Sequence, residues 1–213
     1  ADFVNSVKRS ERVGYDLIEF HAGHGYLIHQ FLSPLSNQRT DAYGGSAENR
    51  MRFPLEVFAA MRAAWPADKP MGARVSAVDW VEGGLTIEQT VQFARELKKL
   101  GCDYVDVSSG GLDPRQQVAQ APGYNAQFAA RVKKEAGVVT RTVGLIADAK
   151  LAEQIVSSGQ ADMIAIGRAA MWDPRWAWHA AIELGTEANY PPRATPCIPS
   201  LRPQIFGNIK KAT

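Results

Sequence analysis

Tyr15-Asp16-Leu17-Ile18-Glu19-Phe20-His21-Ala22-Gly23-His24-Gly25-Tyr26-Leu27-Ile28 is the stretch whose reading decides the fold. Tyr15 to Phe20 reads as an apolar strand, and two imidazoles and a phenol follow at its carboxyl end. Strand exits are where βα barrels keep their chemistry. A dinucleotide-binding turn would need Gly-x-Gly-x-x-Gly here, but Gly23-His24-Gly25-Tyr26-Leu27-Ile28 lacks the third glycine and reads as entering a long loop instead of a helix. That favours a closed barrel over an open doubly wound sheet.

Outward from this stretch, a short β-branched strand followed by an amphipathic helix recurs about five times. The strands are expected at Tyr15–Phe20, Met71–Ser76, Tyr104–Ser108, Val139–Leu145 and Met163–Ile166, as near-continuous apolar runs covered on both faces. Thr86-Ile87-Glu88-Gln89 reads as a capping box opening a helix striped by Ile87, Val91, Ala94 and Leu97, or by Thr90, Phe93, Leu97 and Leu100, and closed by Gly101. Asn125 and Asp148 are N-cap candidates for the next two helices, with Gly137 and Gly159 as stops. Asp173-Pro174 supplies a cap and an N1 proline for the last helix, which ends at Gly185. Pro54 is expected to divide Ala47–Trp65 into a short turn and a main helix. Trp80, Trp172, Trp176 and Trp178 are read as packing residues.

The fold class expected is α/β, a (βα)8 TIM barrel present incompletely, with about five of its eight units. The chain opens without methionine, inside a helix-like segment bearing Phe3, Val4, Val7 and Val13. Residues 1–188 are therefore expected to be the carboxyl-terminal portion of a barrel whose missing N-terminal half precedes it or is another chain. Residues 189–213, with Pro191, Pro192, Pro196, Pro199 and Pro203, are read as a tail too proline-rich for a helix, wrapping a surface or a neighbour.

Composition narrows the partners. Of 213 residues, 46% are hydrophobic and 22% charged, the balance of an ordinary globular domain. The net charge of +2 comes from well-mixed charges, which argues against nucleic acid. No apolar run approaches the ~20 residues of a membrane span. Cys102 and Cys197 have no metal-ligand spacing and imply no disulfide framework, so a cytoplasmic location is expected, with Cys102 a small buried thiol.

Residues 15–185 contain His21-Ala22-Gly23-His24-Gly25-Tyr26-Leu27, Gln30-Phe31-Leu32-Ser33-Pro34-Leu35-Ser36-Asn37, and Arg39-Thr40-Asp41-Ala42-Tyr43-Gly44-Gly45-Ser46 with Glu48-Asn49-Arg50. Arg74-Val75-Ser76-Ala77, Glu82-Gly83-Gly84, Val107-Ser108-Ser109-Gly110-Gly111 and Gly167-Arg168 follow in order. In these motifs the chain resembles the Old Yellow Enzyme family of flavin oxidoreductases, most closely its bacterial two-histidine branch.

The resemblance implies an FMN-dependent ene-reductase, an NAD(P)H oxidoreductase that takes NADPH or NADH as reductant and an activated alkene (enone, enal, maleimide or nitroalkene) as small-molecule substrate. It implies that His21 and His24 hydrogen-bond the acceptor oxygen, with Ala22 and Gly23 completing the substrate loop, and that Tyr26 protonates the α-carbon. A phenol keeps its proton at neutral pH and suits that task. It also implies that Arg74 meets the flavin ring and that Gly144, Gly167 and Arg168 hold the phosphate.

Each residue also has a plainer reading. The two histidines could be metal ligands, though no third ligand with zinc-like spacing accompanies them; Tyr26 could be a lining aromatic; Arg74 could sit in a structural ion pair; Gly144 could be a turn. The Arg39–Arg50 segment reads as scaffold, with Gly44-Gly45 turning, Ser46 capping and Glu48 in the first helical turn. The family's other flavin contacts come from its first three strands, so this chain alone is expected to hold FMN weakly. The complete enzyme is expected to be a homo-oligomer, with Arg193 or Arg202 reaching a neighbouring site. Two alternatives stand beside this: a half-barrel inactive without its partner, and a flavin and iron–sulfur dienoyl-thioester reductase, which would need a cysteine cluster that Cys197 alone cannot make.

Overall fold

A computed structural model describes residues 1–206, and in it five parallel strands lie side by side in chain order. They are β1 (Ile18–Ala22), β2 (Met71–Ser76), β3 (Tyr104–Ser108), β4 (Val139–Thr142) and β5 (Met163–Ile164). α1 (Asp2–Arg12) precedes β1, and α2 (Leu27–Leu32) with α3 (Ala47–Ala64) joins β1 to β2. α4 (Ile87–Lys99), α5 (Ala126–Ala136) and α6 (Ala149–Ser157) make the next three crossovers, and α7 (Arg168–Trp172) and α8 (Trp176–Glu183) follow β5. Sequential parallel strands joined by helices are the βα units of a TIM-barrel-type fold, with β1 and β5 as the sheet's two edges.

The boundaries of β2 and β3 are those expected from sequence; their facial pattern is not. Phe20, Ala22, Met71, Ala73, Val75, Val105 and Val107 form a hydrocarbon core with α3, α4 and α5. The alternate residues Gly72, Arg74, Ser76, Tyr104, Asp106 and Ser108 fall on the opposite face. The expectation of apolar strands covered on both faces is thus corrected: the second face carries charges, and they pair with one another.

Pro54 does not divide its helix. α3 runs unbroken through it for 18 residues, because Met51, Pro54, Phe58 and Met61 form one buried stripe. Pyrrolidine in a helix interior costs about 3 kcal/mol, and the packing along that stripe offsets it. Helix ends follow ordinary capping chemistry: Ser46 Oγ accepts from the Asn49 amide, Asp148 Oδ1 accepts from the Leu151 amide, and Gly137 closes α5 at φ 64°. Asn125 stands at the N-cap of α5 without capping; wholly buried, it accepts from Ser109 and donates to the Val143 carbonyl.

Two further expectations are corrected. Trp172 is 91% exposed, since the five-residue α7 has no buried face, whereas Trp176 packs on the core and donates to the Ala147 carbonyl. The proline-rich tail does coil: Pro192–Cys197 and Pro199–Leu201 form 3-10 turns and Pro203–Phe206 one α-helical turn, α9, because proline at a first helical position loses no hydrogen bond. Residues 207–213 of the tail lie outside the described residues.

Candidate active site

β1 extends two residues beyond Phe20 because its ladder with β2 continues, pairing His21 with Arg74 and Ala22 with Val75. Ala22 points into the core, so His21 shares the opposite face with Arg74, Asp106, Arg141 and Met163, one row across all five strands. Gly23 follows; a Cβ there would stand 3.0 Å from the amide and hydroxyl of Ser76. His24 and Gly25 then take left-handed conformations, φ 56° and 78°, which reverse the chain into α2. The long loop expected here comes only after that short helix, because Ile28, His29 and Leu32 bury against the core.

This turn brings three of the expected residues together. The His21 and His24 rings are 5.3 Å apart, and the Tyr26 ring lies edge-on to His21, also at 5.3 Å. The His24 amide donates to Ser76 Oγ at 3.0 Å, and its Nε2 meets Ser108 Oγ at 2.7 Å. Gly25 sits so close to the Gly111 carbonyl that a Cβ would come within 2.6 Å of it. Burial lowers the pKa of both histidines, with the Arg74 cation adding to the effect, and His24 is held down to about 4. At neutral pH two uncharged imidazoles and a 65% exposed phenol therefore share one corner.

Arg74 joins them through the ladder. Its Nε is buried, has no hydrogen-bond partner among the described residues and stands 3.5 Å from Asp106, too far for a good bond. Asp106, wholly buried, is held instead by Arg141 Nη2 at 2.9 Å. Arg141 also pairs with Glu19, which accepts from the Tyr104 hydroxyl at 3.0 Å. Burial and the Asp106 carboxylate raise the Glu19 pKa, against the pull of Arg141. Glu19, Asp106, Arg141, Ser76 and Ser108 were missed in the sequence, although the period-two placing of Arg74 and Ser76, and of Asp106 and Ser108, carried the signal.

The remaining expected residues lie elsewhere. Gly144, at the exit of β4, has φ 135°, and a Cβ would stand 2.8 Å from the Tyr124 ring. Gly167 precedes α7 with open space around it, and Arg168 is exposed at the exit of β5, across β2, β3 and β4 from His21. Arg193 is exposed in the first 3-10 turn, and Arg202 Nη1 donates to the neighbouring Leu201 carbonyl. The Cys102 thiol is buried and pushed up to about 12 by desolvation.

Residues 1–187 match the NADH:flavin oxidoreductase / NADH oxidase family. The chain belongs to this family. The NADPH dehydrogenase of Bacillus subtilis (strain 168) is 45% identical over 190 residues, 89% of this chain and 55% of that protein. The chain thus spans about half the length of the curated relatives it matches. A solved complex of 2-naphthoyl-CoA reductase with 2-naphthoyl-CoA superposes with a TM-score of 0.78 at 27% identity, over 83% of this chain and 28% of that one. An old yellow enzyme homologue from Zymomonas mobilis shares the fold with a TM-score of 0.68 at 24% identity, over 84% of this chain and 51% of that one.

Proposed function

We propose that this chain carries the acceptor-binding and proton-donating part of an FMN-dependent, NAD(P)H-oxidising ene-reductase acting on enones, enals, maleimides and nitroalkenes. The observation that carries the reading is the corner where neutral His21 and His24 and the exposed Tyr26 hydroxyl meet beside Arg74. Neutral imidazoles donate through N–H without bringing charge, so two of them can grip one carbonyl or nitro oxygen and draw electron density from the alkene. The Tyr26 ring lies against His21 at the same corner, and its hydroxyl is a hydrogen-bond donor.

FMN suits the residues present. The Arg74 Nε, without a hydrogen-bond partner among the described residues, supports a contact with an electron-rich edge, and Gly167 and Arg168 leave room and charge for a phosphate. FMN when bound supplies hydride chemistry, with NADPH or NADH as its reductant. The chain's own residues bind the acceptor oxygen through His21 and His24 and deliver the Tyr26 proton to the α-carbon.

The test is rapid mixing of the anaerobically reduced, FMN-loaded enzyme with 2-cyclohexenone. Replacing both histidines by alanine should weaken acceptor binding by about two orders of magnitude, two hydrogen bonds at ~1–1.5 kcal/mol each. Unchanged acceptor binding would overturn the reading.

The same reading includes a barrel domain over residues 1–188 whose amino-terminal half covers the β1 edge. A groove of about 460 Å³ supports this, lying between α1 and β1 and lined by Phe3, Val7, Tyr15, Leu17 and Phe20. It includes an oligomer in which Arg193 or Arg202 reaches a neighbouring site; unchanged kinetics in an Arg193→Ala, Arg202→Ala variant would remove that element. The thioester in the 2-naphthoyl-CoA reductase complex favours a second reading, with an acyl-thioester as acceptor at the same imidazoles. Turnover of an enoyl-CoA but not of 2-cyclohexenone would select it.

A further inference from the structure

Behind the His24-Gly25-Tyr26 turn lie His29 on α2 and Asp79 on the loop between β2 and α4, both wholly buried. His29 Nδ1 takes the Gly25 amide at 3.0 Å, and His29 Nε2 stands 2.9 Å from Asp79 Oδ1. A backbone amide can only donate, so Nδ1 is the bare nitrogen and Nε2 carries the proton given to Asp79. The second oxygen, Oδ2, accepts from the Ser33 hydroxyl at 2.6 Å and the Leu85 amide at 2.7 Å. Burial acts to raise the Asp79 pKa, but the bonds from His29, Leu85 and Ser33 outweigh it and leave it lowered, so both oxygens remain acceptors.

The turn held this way is not one the chain adopts freely. His24 is a non-glycine residue at φ 56°, a conformation that L side chains rarely adopt and that persists only where its surroundings fix it. A hydrogen bond to the next amide supplies such a constraint, because its loss would strand the donor. That bond exists only while His29 keeps its Nε2–H tautomer, which Asp79 sets from the other side.

We propose that His29 and Asp79 are a positioning pair: the carboxylate fixes the imidazole tautomer, the imidazole holds the Gly25 amide, and that amide sets the His24 and Tyr26 rings in the acceptor corner. The inference rests on the reading of His24 and Tyr26 given above. It adds two residues that touch neither acceptor nor flavin.

Three variants of the chain test it. In Asp79→Asn the Leu85 amide still requires an oxygen, so the carboxamide turns its NH2 towards His29 Nε2. His29 must then protonate at Nδ1, and two N–H groups face each other at Gly25. Imidazole nitrogen NMR should show the proton moved from Nε2 to Nδ1. Amide exchange at Gly25 should accelerate about tenfold or more, while Val105 and Val107 in β3 stay protected.

His29→Asn places an oxygen near the lost Nδ1 and should keep Gly25 within about threefold of the native exchange rate. His29→Gln places its amide near the lost Nε2 and should behave like Asp79→Asn. If Asp79→Asn does not fold, the two His29 variants decide between them. Unchanged Gly25 exchange in Asp79→Asn and His29→Gln, equal loss in both His29 variants, or a native Nδ1–H tautomer would each overturn the proposal. None of these readouts needs flavin or acceptor, so they stand or fall apart from the ene-reductase reading. In the FMN-loaded enzyme, Asp79→Asn should raise KM for 2-cyclohexenone and lower kcat with flavin reduction by NADPH unchanged.

Discussion

The two ends of the strand row hold their polar groups in opposite ways. At the β1 corner bonds near and far in sequence tie the backbone and rings: His24 to Ser76 and Ser108, Gly25 to His29, His29 to Asp79, and Asp79 to Ser33 and Leu85. The stitching continues along the strand exits, where Trp80 donates to Ser109, Ser109 to Asn125, and Asn125 to the carbonyl of Val143 beyond β4. At the β5 end the strand is two residues long, α7 buries nothing, and Arg168 and Trp172 project outward. The core of this chain therefore underlies the β1 corner, where we place the acceptor, while the β5 end leaves Arg168 and Trp172 exposed.

That contrast can be broken most decisively at Tyr26. In the FMN-loaded enzyme, Tyr26→Phe should slow alkene reduction by about 10²–10⁴-fold with flavin reduction intact; equal turnover would show that the tied corner does not serve protonation. Next in size is its foundation. Phe58 is wholly buried and meets Phe20 of β1 edge-on at 5.7 Å, so Phe58→Ala should cost about 3–5 kcal/mol in denaturant unfolding.

At the other end, Arg168→Ala should weaken FMN binding about tenfold while leaving the melting temperature unchanged, measurable by flavin fluorescence titration. A drop in melting temperature would mean the β5 end is more tightly built than its exposure indicates.

The smaller effects concern charge and surface. His24 is held down to about 4 from the ordinary 6.5 by burial and by Arg74. Between those values the unfolded chain binds a proton that the folded chain excludes, so stability is complete above pH 6.5 and declines as the pH falls towards 4. His24→Gln should make that decline shallower, read from denaturant midpoints at pH 7 and 4.5. Trp172→Ser should change stability by no more than about 0.5 kcal/mol, since its 91% exposed ring has little packing to lose.

Much of this was legible before the fold was known. Met71–Ser76 and Tyr104–Ser108 are found as expected because β-branched and small residues fill each run between clear stops. Ser46, Asp148 and Gly137 cap as expected because capping is a local matter of one side chain or one left-handed residue. Where the reading failed, packing decided: it overruled a local signal at Pro54 and at β1, whose end is set by what Arg74 and Val75 offer across the ladder, and at Trp172 the expected packing is not made among the described residues. The site divides the same way. His21, His24 and Tyr26 lie within six residues and were visible together, whereas Asp79 meets His29 from 50 positions away and Arg141 meets Glu19 from 122.

The order of the strands, their parallel βα repeat and the family motifs were thus fixed by the linear string, since period, caps and motif spacing are short-range properties. Only the folded chain decided which imidazole nitrogen is bare, which carboxylate faces which guanidinium and which tryptophan is left in water. A desolvated hydrogen bond depends on what surrounds it in space, and the residues that desolvate it come from remote parts of the chain.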